Sequence, residues 1–479
     1  MRGRELAFFS IAELSGSIRS RRVSPVELVE QVLARLERLN PRLQAYLTVT
    51  GELARTQARK AEVEIRRGDW RGPLHGIPLA LKDNIHTRGI RTTAGAKFLA
   101  DFVPREDASV VTRLQRAGAV LLGKTNLHEF AYGVTTENPH YGSTRNPWDA
   151  QRMAGGSSGG AAAAVAAGLA FAAVGTDTGG SIRIPAALCG ITGLKPTYGR
   201  VSNWGVVPLA PSLDHVGPLT RSVEDAAILL RAMAGWDRRD PASVRCAVPD
   251  YSAALRGRSS RSRPLRGLRL GIAGNFFLEQ VQAEVARCFG AAVEQFVRLG
   301  ADVVDVHLPR LAEASEAGTT ISLAEATRVH QQAGYFPAQA EAYSAEVRKR
   351  LELGAEVRAV DYLAARETQR ELQREFAEVL EQVHALLAPT VPVVAPQLGT
   401  QKVVLDGQEE SVRSALLRFN RPSNLTGCPA ISIPCGFVEG LPVGVQLIGR
   451  WWGEAELLQI AHAYQRATEF HLQRPPLDA

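Results

Sequence analysis

The sequence predicts an α/β fold in which a largely parallel sheet is covered by helices. Two observations carry that prediction. Short apolar runs of strand length recur along the chain, each bounded by Gly, Pro or charged residues, and between them lie longer stretches with apolar residues at helical spacing. The composition can also fill a large core: of 479 residues, 45% are hydrophobic and 22% charged, the balance of an ordinary globular protein.

The first element is an amphipathic helix. Ser24-Pro25-Val26-Glu27 has the capping-box pattern with Pro at the first helical position, and Val29, Val32, Leu33 and Leu36 follow at helical spacing. GIPLALKDNI (76–85) reads as a buried strand whose polar end presents Lys82, Asp83 and Asn84. Residues 108–117 predict a helix and AVLLGKT (119–125) the strand after it. RGRSSRSRPLR (256–266) is rich in Arg, Ser and Pro and predicts an exposed connector. Beyond it LRLGIAG (268–274) predicts a strand, 278–299 a helix and ADVVDVHLP (301–309) a strand. Residues 310–388 predict mostly helix, AISIPCGF (430–437) and PVGVQLIG (442–449) two strands, and a closing helix starts at Glu454.

Composition excludes several classes. No stretch approaches the roughly 18 apolar residues of a membrane span, and the N-terminal LAFFSIA is too short for a secretory signal, so a cytoplasmic protein without a membrane partner is expected. The five cysteines form no CxxC pair, which signals buried thiols rather than disulfides or a metal site. The net charge of +7 is not organised into a stripe, so nucleic acid is not expected as a direct partner.

Three motifs compete for the chemistry. GAVLLGKT (118–125) matches the phosphate-loop pattern, but its middle is an apolar strand preceded by a helix, the wrong order for a phosphate cradle. Gly156-Ser157-Ser158-Gly159-Gly160 fits the nucleophile elbow with Ser158 as nucleophile, yet NPWDAQRMA before it is no strand; His215 is the one downstream histidine in a motif-like setting, and it reads as an ordinary hydrogen-bonding residue. The third candidate is GTDTGGSIRIPA (175–186). Glycines beside a serine let backbone N–H groups converge, as an oxyanion hole requires, which makes Ser181 a nucleophile candidate. No histidine accompanies it, so the base would be a lysine held neutral; lysines number only seven against 49 arginines, and Lys82 sits at the end of an apolar run.

GIPLALKDNI together with AGGSSGGAAAAVAAGLAFAAVGTDTGGSIRIPAALCGITGLKPTYGRVS resembles the amidase signature family of Ser-Ser-Lys hydrolases. LGKTNLHEFAYGVTTENPHYGSTRNPWD (122–149), PLAPSLDHVGPLTRSVEDAA (208–227) and GCPAISIPCGF…GLPVGVQLIG (427–449) extend the likeness over most of the chain. It is weakest between about 235 and 425.

The resemblance implies a single large domain (1–479) with a mixed, largely parallel central sheet covered by helices on both faces. A catalytic core would span 65–230, and 310–425, mostly helical, would shape the substrate pocket. The family triad would be Lys82, Ser157 and Ser181: Ser181 attacks an amide carbonyl, Ser157, reached through a cis peptide, relays the proton, and Lys82 is the base. Thr178, Gly179, Gly180 and Ser181 would supply oxyanion N–H groups, and Ala131 would edge the acyl pocket. Asp177 with Arg183 would be a structural network and Ser158 a hydrogen-bonding support.

The expected activity is hydrolysis of a small-molecule amide without cofactor or metal, in a chain that could form a homodimer. The second reading is the glutaminase subunit of a tRNA-dependent amidotransferase. Such subunits carry Gln after Ser-Ile-Arg, where this chain has Ile184, and their Tyr-Asp-Gly-Val-Arg-Tyr stretch has no counterpart here. A third reading, a catalytically silent basic binding protein, is opposed by the intact triad.

Overall fold

Eleven strands pair into one sheet, and helices pack against it. A computed structural model describes residues 5–259 and 262–477. In chain order the strands are β1 (Tyr46–Val49), β2 (Pro78–Lys82), β3 (Val120–Thr125), β4 (Ala172–Asp177), β5 (Thr192–Lys195), β6 (His215–Thr220), β7 (Arg269–Ile272), β8 (Asp302–Asp305), β9 (Ala385–Pro389), β10 (Ala430–Val438) and β11 (Leu441–Gly449). Their spatial order is β1-β3-β2-β4-β6-β5-β10-β11-β9-β7-β8.

The sheet is mixed, as expected, with its parallel pairing gathered in two blocks. β2 runs parallel to β3 and β4, and β7 runs parallel to β8 and β9. The ladders between these blocks, and β1 on β3, are antiparallel. One cause is local: Glu439 and Gly440 both take positive φ (48° and 80°), which makes the two-residue turn that folds β10 back onto β11. The sheet ends at β1, which carries a register shift between Tyr46 and Thr48, and at β8, whose Asp302 and Asp305 are exposed.

Two short helices bring the serine clusters to the ends of these strands. The helix Gly159–Ala166 is buried along its whole length. Its run of Gly and Ala follows from that position: a Cβ on Gly160 would lie 2.5 Å from the carbonyl oxygens of Ala45 and Asn126. The helix Arg183–Cys189 follows Ser181 and is equally buried. The 310–388 stretch forms three longer helices, Ala314–Gln332, Ala345–Ala355 and Ala359–Gln382, packed on one another.

Some boundaries differ from expectation. The helix expected over 278–299 is Ala283–Arg298, because Gln280 takes a positive φ of 51°. The connector 256–266 begins inside the helix Tyr251–Ser259, its residues 260–261 lie outside the described residues, and it is not exposed throughout. Pro264 and Leu265 are buried, and the Leu265 N–H donates to Leu299 O at 3.0 Å, which anchors the segment. Of the five free thiols, Cys189, Cys428 and Cys435 are buried, whereas Cys246 and Cys288 are partly exposed.

Candidate active site

β2 delivers Lys82 into the interior. Every residue of Pro78–Lys82 is buried, so the amine emerges beside the end of the neighbouring β4 rather than in solvent. Its Nζ donates to Ser157 Oγ and to Thr176 Oγ1, each at 2.7 Å, and Asn84 Nδ2 also donates to Thr176 Oγ1 at 3.2 Å. Among the described residues no carboxylate is ion-paired with this amine. Burial lowers its pKa to about 7, against the opposing pull of Asp177 and Asp214. An amine held this way exists in substantial part unprotonated near neutrality and can accept a proton from a hydroxyl.

Ser157 follows a cis peptide from Gly156, and its carbonyl accepts from the His128 N–H at 3.2 Å. The glycines around it are demanded by close approach: a Cβ on Gly156 would lie 2.8 Å from Thr136 N, and one on Gly159 would lie 2.4 Å from Thr136 Oγ1. Ser158 ties the parts together. Its Oγ donates to Thr176 O at 3.1 Å and its N–H to Ser181 O at 3.2 Å, so the helix start, the end of β4 and the second serine cluster hold one arrangement.

Ser181, only 5% exposed, lines a small inner cavity of about 30 Å³ with Ala131, Thr178 and Gly179. The N–H groups of Thr178, Gly179 and Ser181 have no acceptor among the described residues, which leaves them able to meet an oxyanion. Gly180 departs from expectation, because its N–H already donates to Asp177 Oδ1 at 2.8 Å. Its glycine is required for another reason: φ is +125° and a Cβ there would sit 2.6 Å from Asn420 Cβ.

Asp177 and Arg183 form the frame beneath the loop. Arg183 is fully buried, pairs with Asp177 at 3.0 Å and donates to Asn420 O, Ser423 Oγ, Gln446 Oε1 and Asn424 Oδ1. Burial alone would raise the Asp177 pKa, but the Arg183 guanidinium holds it well below the usual carboxylate range. His215 has a structural setting, with Nδ1 2.7 Å from Leu213 O and Nε2 3.2 Å from Lys195 Nζ.

The phosphate-loop letters describe a strand. Lys124 is buried in β3, lies 3.2 Å from Asp83 Oδ1, and donates to Ile85 O and Thr92 Oγ1 at 2.7 Å.

Sequence reading missed several residues at the site. Thr176 has no motif of its own, although it sits at a strand end beside Asp177. Asp214 accepts from Thr178 Oγ1 at 2.6 Å and from the N–H groups of Leu209 and Ala210, and burial raises its pKa to about 6 against those hydrogen bonds. A larger cavity of about 1390 Å³ shares Ala131 and Thr178 with the inner one. Loops around 102–107, 203–214 and 239–242 line it together with the helices Ala314–Gln332 and Ala359–Gln382. Both helices lie in the 310–425 stretch to which the sequence assigns the pocket, and the loops lie outside it.

With this geometry, comparison with known proteins is decisive. The amidase family model matches residues 27–458. The chain belongs to the amidase signature family.

This amidase is 42% identical, over 99% of both chains, to a glutamyl-tRNA(Gln) amidotransferase subunit of Moorella thermoacetica. It is 43% identical to the subunit of the same name from Dechloromonas aromatica, covering 97% of this chain and 98% of the other. Among solved structures it is similar to the native peptide amidase of Stenotrophomonas maltophilia, with a TM-score of 0.84, 35% identity and 99% of each chain covered. It is similar also to the glutamyl-tRNA(Gln) amidotransferase subunit of that same name from Thermotoga maritima, with a TM-score of 0.82, 34% identity and 100% of each chain covered. The chain is accordingly a hydrolase of amide carbon–nitrogen bonds. Among the described residues no helix is long and apolar enough to cross a membrane.

Proposed function

We propose that this amidase cleaves a small carboxamide through an acyl-Ser181 intermediate, with Lys82 as base and Ser157 as the relay between them. The observation that carries the proposal is the buried Lys82 amine, without a carboxylate partner among the described residues and 2.7 Å from Ser157 Oγ. In the first step Ser181 Oγ attacks the carbonyl carbon while its proton passes to Ser157, whose own proton passes to Lys82. The oxyanion that forms is met by the N–H groups of Thr178, Gly179 and Ser181, with Ala131 edging the acyl group. Collapse breaks the C–N bond, and the relay runs backwards to protonate the departing nitrogen, which leaves as ammonia or an amine. Water, activated by the same relay, then releases the carboxylic acid and restores Ser181.

The test is ammonia or amine release by the purified chain, with Ser181→Ala as comparison and hydroxylamine added to trap the acyl group. Ser181→Ala lowers kcat by about 10⁴-fold or more, and the wild type forms a hydroxamate. Normal turnover by Ser181→Ala would refute the assignment.

The second reading rests on the relatives' name. In it the amide is that of glutamine, and the ammonia serves a partner protein that handles a charged tRNA, which brings nucleic acid closer to the chain's biology than its charge pattern suggests. A cytoplasmic setting, expected from the sequence, fits relatives of that name. Glutamine turnover that rises on adding partner subunits supports this reading; turnover of simple amides by the isolated chain supports the first.

A further inference from the structure

The inner cavity beside Ser181 carries two arginines that the proposed mechanism does not use. Arg413, at the start of the helix Val412–Arg418, and Arg421, at the start of the helix Arg421–Thr426, both line it. Arg421 donates to Ser315 O and Thr319 Oγ1, each at 2.7 Å, and among the described residues to no carboxylate. Arg413 has no hydrogen bond or ion pair among the described residues; its guanidinium lies 5.7 Å from the Tyr132 ring centroid. A third arginine, Arg350, sits against the same Tyr132 ring but is already paired with Glu346. The described lining of the inner cavity contains no Asp or Glu.

The Glu346 carboxylate, whose charge reaches Arg413, is already shared by Arg350 and His128, so two guanidinium groups on one small cavity with no acid in its described lining are costly unless something anionic joins them. Each presents planar donors that suit a carboxylate. We infer that the inner cavity receives a carboxylate carried by the substrate, held by Arg413 and Arg421, so that the substrate class is the monoamides of short dicarboxylic acids. The inference rests on the acyl-Ser181 reading and names the substrate of that same site.

It also sets an order of preference. An α-ammonium group, as in glutamine, would enter the cavity as a third cation with no carboxylate in the described lining to receive it. A monoamide without that group avoids the repulsion. Glutaramate, which is glutamine without its amino group, is therefore the better substrate, and pentanamide, which replaces the carboxylate by a methyl group, the poorer one.

The experiment compares kcat/KM for glutaramate, glutamine and pentanamide in the wild type, Arg413→Met and Arg413→Lys, and separately measures glutarate binding by calorimetry to the wild type, Ser181→Ala and Arg413→Met. The expected result is that the wild type prefers glutaramate to both other amides by about 10-fold or more. Arg413→Met loses that preference, mainly through KM, and Arg413→Lys restores part of it. Glutarate binds the wild type and Ser181→Ala alike, and about 10-fold or more weaker to Arg413→Met. Equal use of glutaramate and pentanamide, or glutarate binding insensitive to Arg413, overturns the carboxylate site while leaving acyl-Ser181 chemistry intact. Specific glutarate binding in a chain whose turnover ignores Ser181→Ala keeps the carboxylate site and overturns the nucleophile instead. A preference for glutamine over glutaramate overturns the exclusion of the ammonium group and with it the substrate class.

Discussion

Lys82 ends β2 and Lys124 is the penultimate residue of its parallel neighbour β3; both are fully buried, and they differ in what meets the amine. Lys124 lies against the Asp83 carboxylate and donates to a carbonyl and a hydroxyl; Lys82 meets two hydroxyls and, among the described residues, no carboxylate. Burial lowers the pKa of both, but beside Lys124 the Asp83 charge and hydrogen bond work against it. The comparison separates two uses of a buried amine. One with an adjacent carboxylate is a structural cation, and one given only hydroxyls can exchange its proton at neutral pH.

The largest expected effect breaks that comparison directly. Lys82→Ala lowers kcat/KM by about 10³–10⁴-fold or more with little change in melting temperature, as for a removed general base. Lys124→Ala does the reverse: it leaves Asp83 buried without its partner and destabilises the fold by about 3–5 kcal/mol. Parallel thermal melts and initial rates on the two variants distinguish the roles, and equal losses of stability would erase the distinction.

The next effect sharpens it. Because the unprotonated amine is the active form, kcat/KM falls tenfold per pH unit below about pH 7 and levels off above it. A pH–rate profile flat from pH 5 to 9 contradicts a lysine base. The smallest effect concerns Thr176. Its hydroxyl accepts from Lys82 and so favours the ammonium form; Thr176→Val shifts the acid limb to lower pH by about half a unit and slows turnover by about 10-fold. A limb that moves upward would mean that the hydroxyl favours the neutral amine instead.

The fold was legible wherever local pattern decides it. Pro78–Lys82 and Val120–Thr125 are short buried apolar runs, and Ser24 caps its helix by accepting from the N–H groups of Val26 and Glu27. Strand direction was less legible, because periodicity carries no orientation; the β10–β11 reversal depends on the φ values of Glu439 and Gly440. At the candidate site, Lys82, Ser157 and Ser181 stood out in the letters because the stretches around them carry the family resemblance. Thr176 and Asp214 were missed because their role comes from strand pairing and from loops that meet only in space. Arg413 and Arg421 lie in the stretch where family resemblance is thinnest, and among 49 arginines nothing in the letters sets them apart. Gly180 illustrates a further limit: the glycine was noticed, but the partner of its N–H, Asp177, appears only once the loop has closed.

The outermost strand β8 has a consequence for how this protein behaves at high concentration. A sheet that does not close into a barrel leaves unpaired N–H and C=O groups along each rim, an invitation for a second molecule to add a strand. The Asp-Val-Val-Asp sequence of β8 sets an exposed carboxylate at each end of that rim, and its pairing register is only four residues long. Any newcomer would have to dock along a very short ledge beside Asp305 and beside Asp302, which lies 3.4 Å from Arg269 on the neighbouring strand. Replacing both aspartates by uncharged residues is therefore expected to favour strand-on-strand self-association at high concentration.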